Sequence, residues 1–179
     1  APAAPGEPPP AGLSEEELRA FEQLAFAYRH IGYARMNGDR PQTMTGLADS
    51  PIGLAAYLID LYPKSYEMIA RSIDGHPEGL TPDDVLDSVT LFWLTGTVLS
   101  AARLYWENRT AYFSVKGVTL PVAVSAFPDE LYQAPRSWCE QAYPKLVHYN
   151  RLDRGGHFPS WEQPELFCKE VRAGFRTLR

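Results

Sequence analysis

Two apolar, β-branched runs near the C-terminal end, Val118 to Ala126 and Leu146 to Leu152, constrain this chain more than any other feature. Short runs of this kind bounded by turn residues read as strands. Between them, Pro135 to Gln141 reads as a short helix, and after them Glu165 to Leu178 reads as an amphipathic closing helix. In that last helix Leu166, Phe167, Val171 and Phe175 are expected to face inward. A block with two strands leaves unpaired edges and cannot close a sheet by itself, so further strands are expected from outside it.

Each run also ends on chemistry. The first is followed by Phe127-Pro128-Asp129-Glu130 and the second by Arg154-Gly155-Gly156-His157-Phe158, then Trp161-Glu162-Gln163-Pro164-Glu165. An α/β sheet presents its catalytic groups at such strand ends. A histidine needs a carboxylate on one ring nitrogen to fix its tautomer before the other nitrogen can act as a base. Hydrolases of this architecture run in the order nucleophile, acid, histidine, with the nucleophile on a turn between glycines. Neither Gly-x-Ser-x-Gly nor Gly-x-Asp-x-Gly occurs in the 179 residues, so the nucleophile is expected on a preceding segment.

The preceding hundred residues read as helical. Ser14 with Glu17 forms a capping box, and Leu18, Phe21, Leu24, Ala25 and Tyr28 recur at helical spacing, ending near Gly32. Asp49-Ser50-Pro51 starts a second helix to about Leu61, with Ser50 or Asp49 as N-cap and Pro51 at the first helical position. Thr81-Pro82-Asp83-Asp84 opens a third, running into Leu91-Phe92-Trp93, with acids at its positive end. Thr97 to Asn108 reads as a fourth. Residues 1–12, rich in Pro and Ala, read as a linker.

The balance of the chain narrows its partners. A hydrophobic content of 45% permits a sizeable core. A net charge of −5 with scattered Lys and Arg argues against nucleic acid and against an anionic membrane surface. No run approaches the roughly 18–20 apolar residues that span a bilayer, and residues 1–10 lack the pattern of a signal peptide. Cys139 and Cys168 make no disulfide framework and read as free thiols of a cytoplasmic protein. His30, His76 and His148 show no ligand spacing, so no metal is expected.

Taken in order, further segments carry a family resemblance. They are Gly32-Tyr33, Arg40-Pro41-Gln42-Thr43, Ala48-Asp49-Ser50-Pro51-Ile52-Gly53-Leu54-Ala55-Ala56-Tyr57, Trp93-Leu94-Thr95-Gly96-Thr97 and Ser100-Ala101-Ala102-Arg103-Leu104-Tyr105, continuing to the two strand-end motifs. Over roughly residues 13–179 the chain resembles the C-terminal half of the microsomal-type epoxide hydrolases of the α/β-hydrolase fold. The resemblance implies a helical cap over residues 13–113 and the last strands and helices of the core over residues 114–179, the nucleophile-bearing part lying outside.

It also implies a two-step hydrolysis. An aspartate attacks an epoxide carbon to form a glycol ester, two cap tyrosines donate to the epoxide oxygen, and a histidine then activates water. By match of position, Tyr33 and Tyr105 are the phenols, His157 the base and Glu130 its partner. Two phenols can meet a developing alkoxide without carrying charge into an apolar pocket. Cleaving the ester requires both a base and an oxyanion hole, and the hole has no counterpart here. The implied partners are a small apolar epoxide, for which the aromatic-rich chain suggests an aryl group, and the segment bearing the aspartate. No cofactor is required, and a homo-oligomer is left open.

Each assignment has a plainer rival. His157 could serve a turn already marked by Gly155-Gly156, and Asp129 competes with Glu130, which the Phe-Pro-x-acid pattern favours. Tyr33 and Tyr105 are two of ten tyrosines, a residue that at helical spacing is usually core; Tyr28, Tyr57 and Tyr112 keep that reading. Asp49 is explained by capping, and a pair with Arg40 would be structural. Phe92, Trp93, Leu94, Trp106 and Phe113 fit either a pocket lining or core packing. A related hydrolase such as a dehalogenase or esterase is one rival function, although a halide wants indole or amide donors and an ester wants no cap acid. A non-catalytic binding protein is the other, and retention of both His157 and Glu130 weighs against it.

Overall fold

The computed structural model describes residues 6–75, 79–108 and 114–178; His76, Tyr112 and Phe113 lie outside the described residues. The helices run in chain order α1 Glu15–His30, α2 Gly32–Asp39, α3 Thr45–Asp49, α4 Pro51–Ile59, α5 Pro63–Ile73, α6 Pro82–Thr95 and α7 Val98–Glu107. Then follow β1 Val122–Ala126, α8 Arg136–Ala142, β2 Leu146–Arg151, α9 Pro159–Glu162 and α10 Pro164–Gly174. Short 3-10 turns stand at Pro41–Met44 and Arg176–Leu178. The chain divides into two compact units, one of residues 29–110 and one of residues 1–28 with 111–179.

Local sequence chemistry places the helix starts. Ser14 and Glu17 bond reciprocally at the head of α1, Glu17 Oε2 accepting from Ser14 N at 2.9 Å and Ser14 Oγ from Glu17 N at 3.3 Å. Thr81 and Asp84 do the same for α6. Ser50, rather than Asp49, caps α4 by accepting from Gly53 N at 3.0 Å. Such caps satisfy amides that have no partner within the helix and are worth about 1 kcal/mol each. The expected Arg40–Asp49 pair does not form; Arg40 Nη1 donates instead to the Asp39 carbonyl at 3.3 Å.

In the helical unit α2 packs against α7, and α4 against α6. Met68, Ile69 and Leu80 form a buried cluster flanked by Ile59 and Val85, and Leu54 on α4 is fully buried. No single helix among the described residues is long and apolar enough to cross a membrane.

The other unit is built on β1 and β2, which pair in parallel from Val122↔Leu146 to Ala126↔Arg151, with one register shift after Val122. A parallel pair needs a crossover, and α8 supplies it. The first strand is shorter than the sequence expectation of Val118 to Ala126, because Pro121 has no N–H to give a ladder. Val122 is the first residue to donate across, to the Lys145 carbonyl at 2.9 Å.

Residues 13–28, read from sequence with the helical block, group instead with the strands. The reason is one face of α1, on which Glu16, Ala20, Gln23 and Ala27 follow at helical spacing. Glu16 Oε1 accepts from Arg151 Nη1 at 3.0 Å and Gln23 Oε1 from Gln133 N at 3.0 Å, while Ala20 and Ala27 are small enough to be buried. The larger Leu18 of the expected apolar stripe is exposed.

Helix α10 lies against both strands, but not on the expected face. It buries Glu170 and Gly174, and leaves Val171 and Phe175 exposed at 41% and 53%. At Gly174 an added Cβ would stand 2.7 Å from Ala123 Cβ, so only glycine lets helix and strand approach this closely. Glu170 is buried because it has partners: Ser125 Oγ donates to it at 2.8 Å, Asn150 Nδ2 at 2.8 Å, and His148 Nε2 lies at 2.9 Å. Burial pushes the Glu170 carboxyl up, but these three bonds outweigh it and hold the group below the usual glutamate value.

Candidate active site

The loops that leave β1 and β2 run side by side. Asp129 N donates to the Gly155 carbonyl at 3.2 Å, and Asp129 and Gly156 form a parallel bridge. Buried Gln133 ties the two strand ends, its Nε2 donating to the carbonyls of Ala126 at 3.0 Å and Leu152 at 3.1 Å. Gly155 has φ +96°, a region that costs other residues strain, and an added Cβ would meet Phe127 Cδ1 at 2.8 Å. The two glycines therefore permit the close contact that sets the loops in register.

That register brings His157 to Glu130. His157 Nδ1 lies 2.8 Å from Glu130 Oε1 and 3.1 Å from Oε2. Glu130 is itself oriented by the next amide, Leu131 N donating to its Oε1 at 2.6 Å. It is Glu130, not Asp129, whose carboxylate meets the ring. With Nδ1–H given to Glu130, Nε2 is the nitrogen left to take a proton from water. The bond to Glu130 raises the His157 pKa above the ordinary value against the lowering effect of burial, and the charges of Glu130 and Glu162 add to the rise.

A cavity of about 460 Å³ lies beside this pair, lined by Glu130, His157, Phe127, Tyr132 and residues of β1 and α10. Burial first, and the neighbours Cys139, Tyr143 and Tyr28 next, push the Tyr132 phenol up to about 12, so it stays protonated at neutral pH and is a weaker acid than an ordinary tyrosine. A further carboxylate, Glu162, accepts from the amides of Gly156 at 2.7 Å and Phe158 at 2.6 Å. The sequence reading gave it no role, although it stands in the Trp161-Glu162-Gln163-Pro164 stretch.

The two tyrosines come together within the helical unit. Tyr33 on α2 and Tyr105 on α7 meet edge to face, with ring centroids 5.9 Å apart and planes at 81°. With Asn37, Tyr57, Phe92 and Val98 they line a cavity of about 130 Å³. Tyr57 donates its hydroxyl to Asn37 Oδ1 at 3.0 Å. Burial raises its pKa, the Asn37 bond opposes this, and Tyr105 adds to the rise. Phe92 lines the cavity, whereas Leu94 and Trp106 are exposed at 77% and 44%. Cys139 is buried and Cys168 exposed, both free.

Paired parallel strands that end on a carboxylate and a histidine in hydrogen-bond contact, accompanied by a separate helical unit, define the α/β-hydrolase class. No family model matches the chain. It is 47% identical over 176 residues to a Stigmatella aurantiaca (strain DW4/3-1) protein named as an epoxide hydrolase, covering 96% of this chain and 38% of the relative. It is 34% identical over 174 residues to epoxide hydrolase 1 of Sus scrofa, covering 90% and 38%. Among solved structures, juvenile hormone epoxide hydrolase of the silkworm Bombyx mori superposes with a TM-score of 0.69 at 26% identity, over 95% of this chain and 43% of that one. An enantioselective mutant of the Aspergillus niger epoxide hydrolase gives 0.73 at 25%, over 96% and 43%. The chain belongs to the epoxide hydrolase family, and it spans about 38% of the length of these curated relatives.

Proposed function

We propose that this chain supplies the base, the base's carboxylate partner and the phenolic acids of an epoxide hydrolase whose nucleophilic aspartate lies on a segment outside these 179 residues. The observation that carries the reading is the 2.8 Å contact between His157 Nδ1 and Glu130 Oε1 at the ends of adjacent parallel strands. In the first step a carboxylate oxygen of the aspartate bonds to an epoxide carbon and the carbon–oxygen bond of the ring breaks. A phenol, Tyr33 or Tyr105, gives its proton to the alkoxide that forms. In the second step His157 Nε2 takes a proton from water as the water oxygen attacks the ester carbonyl. The ester bond then breaks, the proton of the added hydroxyl passing to the departing oxygen, so that diol and the free carboxylate form. The proton on His157 returns through solvent to the phenolate, which restores both groups.

Beside its two phenols the Tyr33–Tyr105 cavity carries Asn37 and the Tyr57 hydroxyl, which bond to each other, among apolar side chains, and this supports an apolar, aryl-bearing epoxide. Among the described residues β1 pairs only with β2, and its other edge supports docking of the nucleophile-bearing segment as a neighbouring strand. Free Cys139 and Cys168 fit a reducing compartment such as the cytoplasm.

The test uses the complete enzyme, this chain joined to the nucleophile-bearing segment. His157→Ala should leave ester formation intact and let the ester accumulate, read as an intact-mass increase equal to the epoxide. Normal turnover of the variant removes His157 from the role of base.

A further inference from the structure

We propose that Glu162 is the positioning residue for His157, its buried carboxylate holding the backbone amides on both sides of the histidine and so fixing the imidazole against Glu130. The inference rests on the reading of His157 as the base.

The geometry is specific. Gly156 N donates to Glu162 Oε2 at 2.7 Å and Phe158 N donates to Oε1 at 2.6 Å, so each carboxylate oxygen takes one of the two flanking amides. The main chain then closes a loop in the other direction, Glu162 N donating to the Phe158 carbonyl at 2.9 Å. Glu162 is only 8% exposed, and bonds from N–H groups to a carboxylate are about twice as strong as neutral ones. Its nearness also explains Gly156, where an added Cβ would meet Glu162 Oε2 and Asp129 Cβ, each at 3.1 Å. Outside this clamp, Gln163 Oε1 accepts from Arg154 Nε at 3.0 Å and closes the rim of the same loop.

The His157 side chain is 47% exposed; its ring bonds to Glu130, itself 36% exposed, and stands edge to face with Phe158, ring centroids 5.0 Å apart. An imidazole in that position keeps its direction only if its main chain is fixed, and Glu162 is what fixes it on both sides. The negative charge of Glu162 also favours the imidazolium, in the same sense as that of Glu130.

Glu162→Gln separates positioning from mere turn stability. The amide retains one acceptor, presents a donor to the second amide, and removes the charge. In the chain as it stands, NMR titration of the His157 ring should show a lower midpoint in the variant, and the Gly156 and Phe158 amides should exchange about tenfold faster. Glu162→Asp keeps the charge one methylene short, so it should largely restore the midpoint while leaving the amides loosened. An unchanged His157 midpoint in Glu162→Gln overturns the proposal, even if the amides loosen. Where Glu162→Gln does not fold, Glu162→Asp decides, a shifted ring environment supporting the proposal and an unchanged one refuting it.

In the complete enzyme, Glu162→Gln should slow ester hydrolysis about a hundredfold with ester formation unchanged. Equal loss of both steps would mean a structural role and overturn the proposal. If the unmodified enzyme forms no ester, the hydrolytic reading fails, while the ring titration still decides the role of Glu162.

Discussion

Replacing Glu130 by glutamine removes one negative charge at the 2.8 Å contact with His157 Nδ1 and changes little in shape. The glutamine can turn its NH2 toward Nδ1, which favours the tautomer protonated at Nε2, the one that cannot act as a base. A general base contributes about 10²–10⁴-fold to a rate. Glu130 and His157 are 36% and 47% exposed, so water shares in holding the ring and screens the lost charge. The loss therefore belongs at the lower end, about 10²-fold, or about 2.7 kcal/mol in the barrier of ester hydrolysis.

The sign of the pH effect follows from the raised pKa. Only neutral His157 accepts a proton, so ester hydrolysis rises with pH, with its midpoint above the ordinary histidine value of about 6.5. Glu130→Gln removes the largest cause of the rise and leaves burial, which lowers the pKa, so the limb moves to lower pH. The same raised pKa adds stability to the fold that is complete below the unfolded histidine value and disappears as pH rises through the folded one. Single-turnover measurements with an aryl epoxide across pH 5–9, quenched to count ester and diol, read both effects. A limb that stays in place while the plateau falls would refute the role of Glu130 in setting the His157 pKa.

Tyr33→Phe combined with Tyr105→Phe should suppress ester formation by at least about 10²-fold, and an undiminished rate by rapid quench would remove both phenols from the reaction. Gly155→Ala places a Cβ 2.8 Å from Phe127 Cδ1 at φ +96°, and should cost about 1–3 kcal/mol in denaturant unfolding; a neutral result would mean the loop relaxes freely. Glu170→Gln should cost about 1–3 kcal/mol at neutral pH, because it removes the charge and turns one of the two oxygens that face His148, Asn150 and Ser125 into a donor. Because the Glu170 pKa is lowered by folding, its contribution is complete above the unfolded glutamate value and is lost as pH falls through the folded one. The variant should therefore show a flatter loss of stability in acid, and an unchanged acid slope would contradict the assignment.

Features governed by near neighbours in the chain were legible in the sequence. Ser14 with Glu17, Ser50 before Pro51, and Thr81 with Asp84 announce helix starts because capping partners lie within a turn. The approach of Glu130 to His157 was legible as a pair of motifs after two strands. Features that depend on distant partners were not. Val171 and Phe175 read as a core stripe, yet α10 turns Glu170 and Gly174 to the strands, because Ser125, His148 and Asn150 offer the carboxylate bonds that no helical period encodes. The face of α1 is likewise chosen by Arg151 and Gln133, more than a hundred residues away. Glu162 escaped notice because its partners are backbone amides, which leave no trace in residue type.

The most direct test of the central claim is aryl epoxide turnover by the 179-residue chain alone and by the same chain joined to the aspartate-bearing segment. The account predicts no diol from the chain alone and, from the joined protein, diol formation through an ester on that aspartate. Diol formed by the chain alone would contradict it.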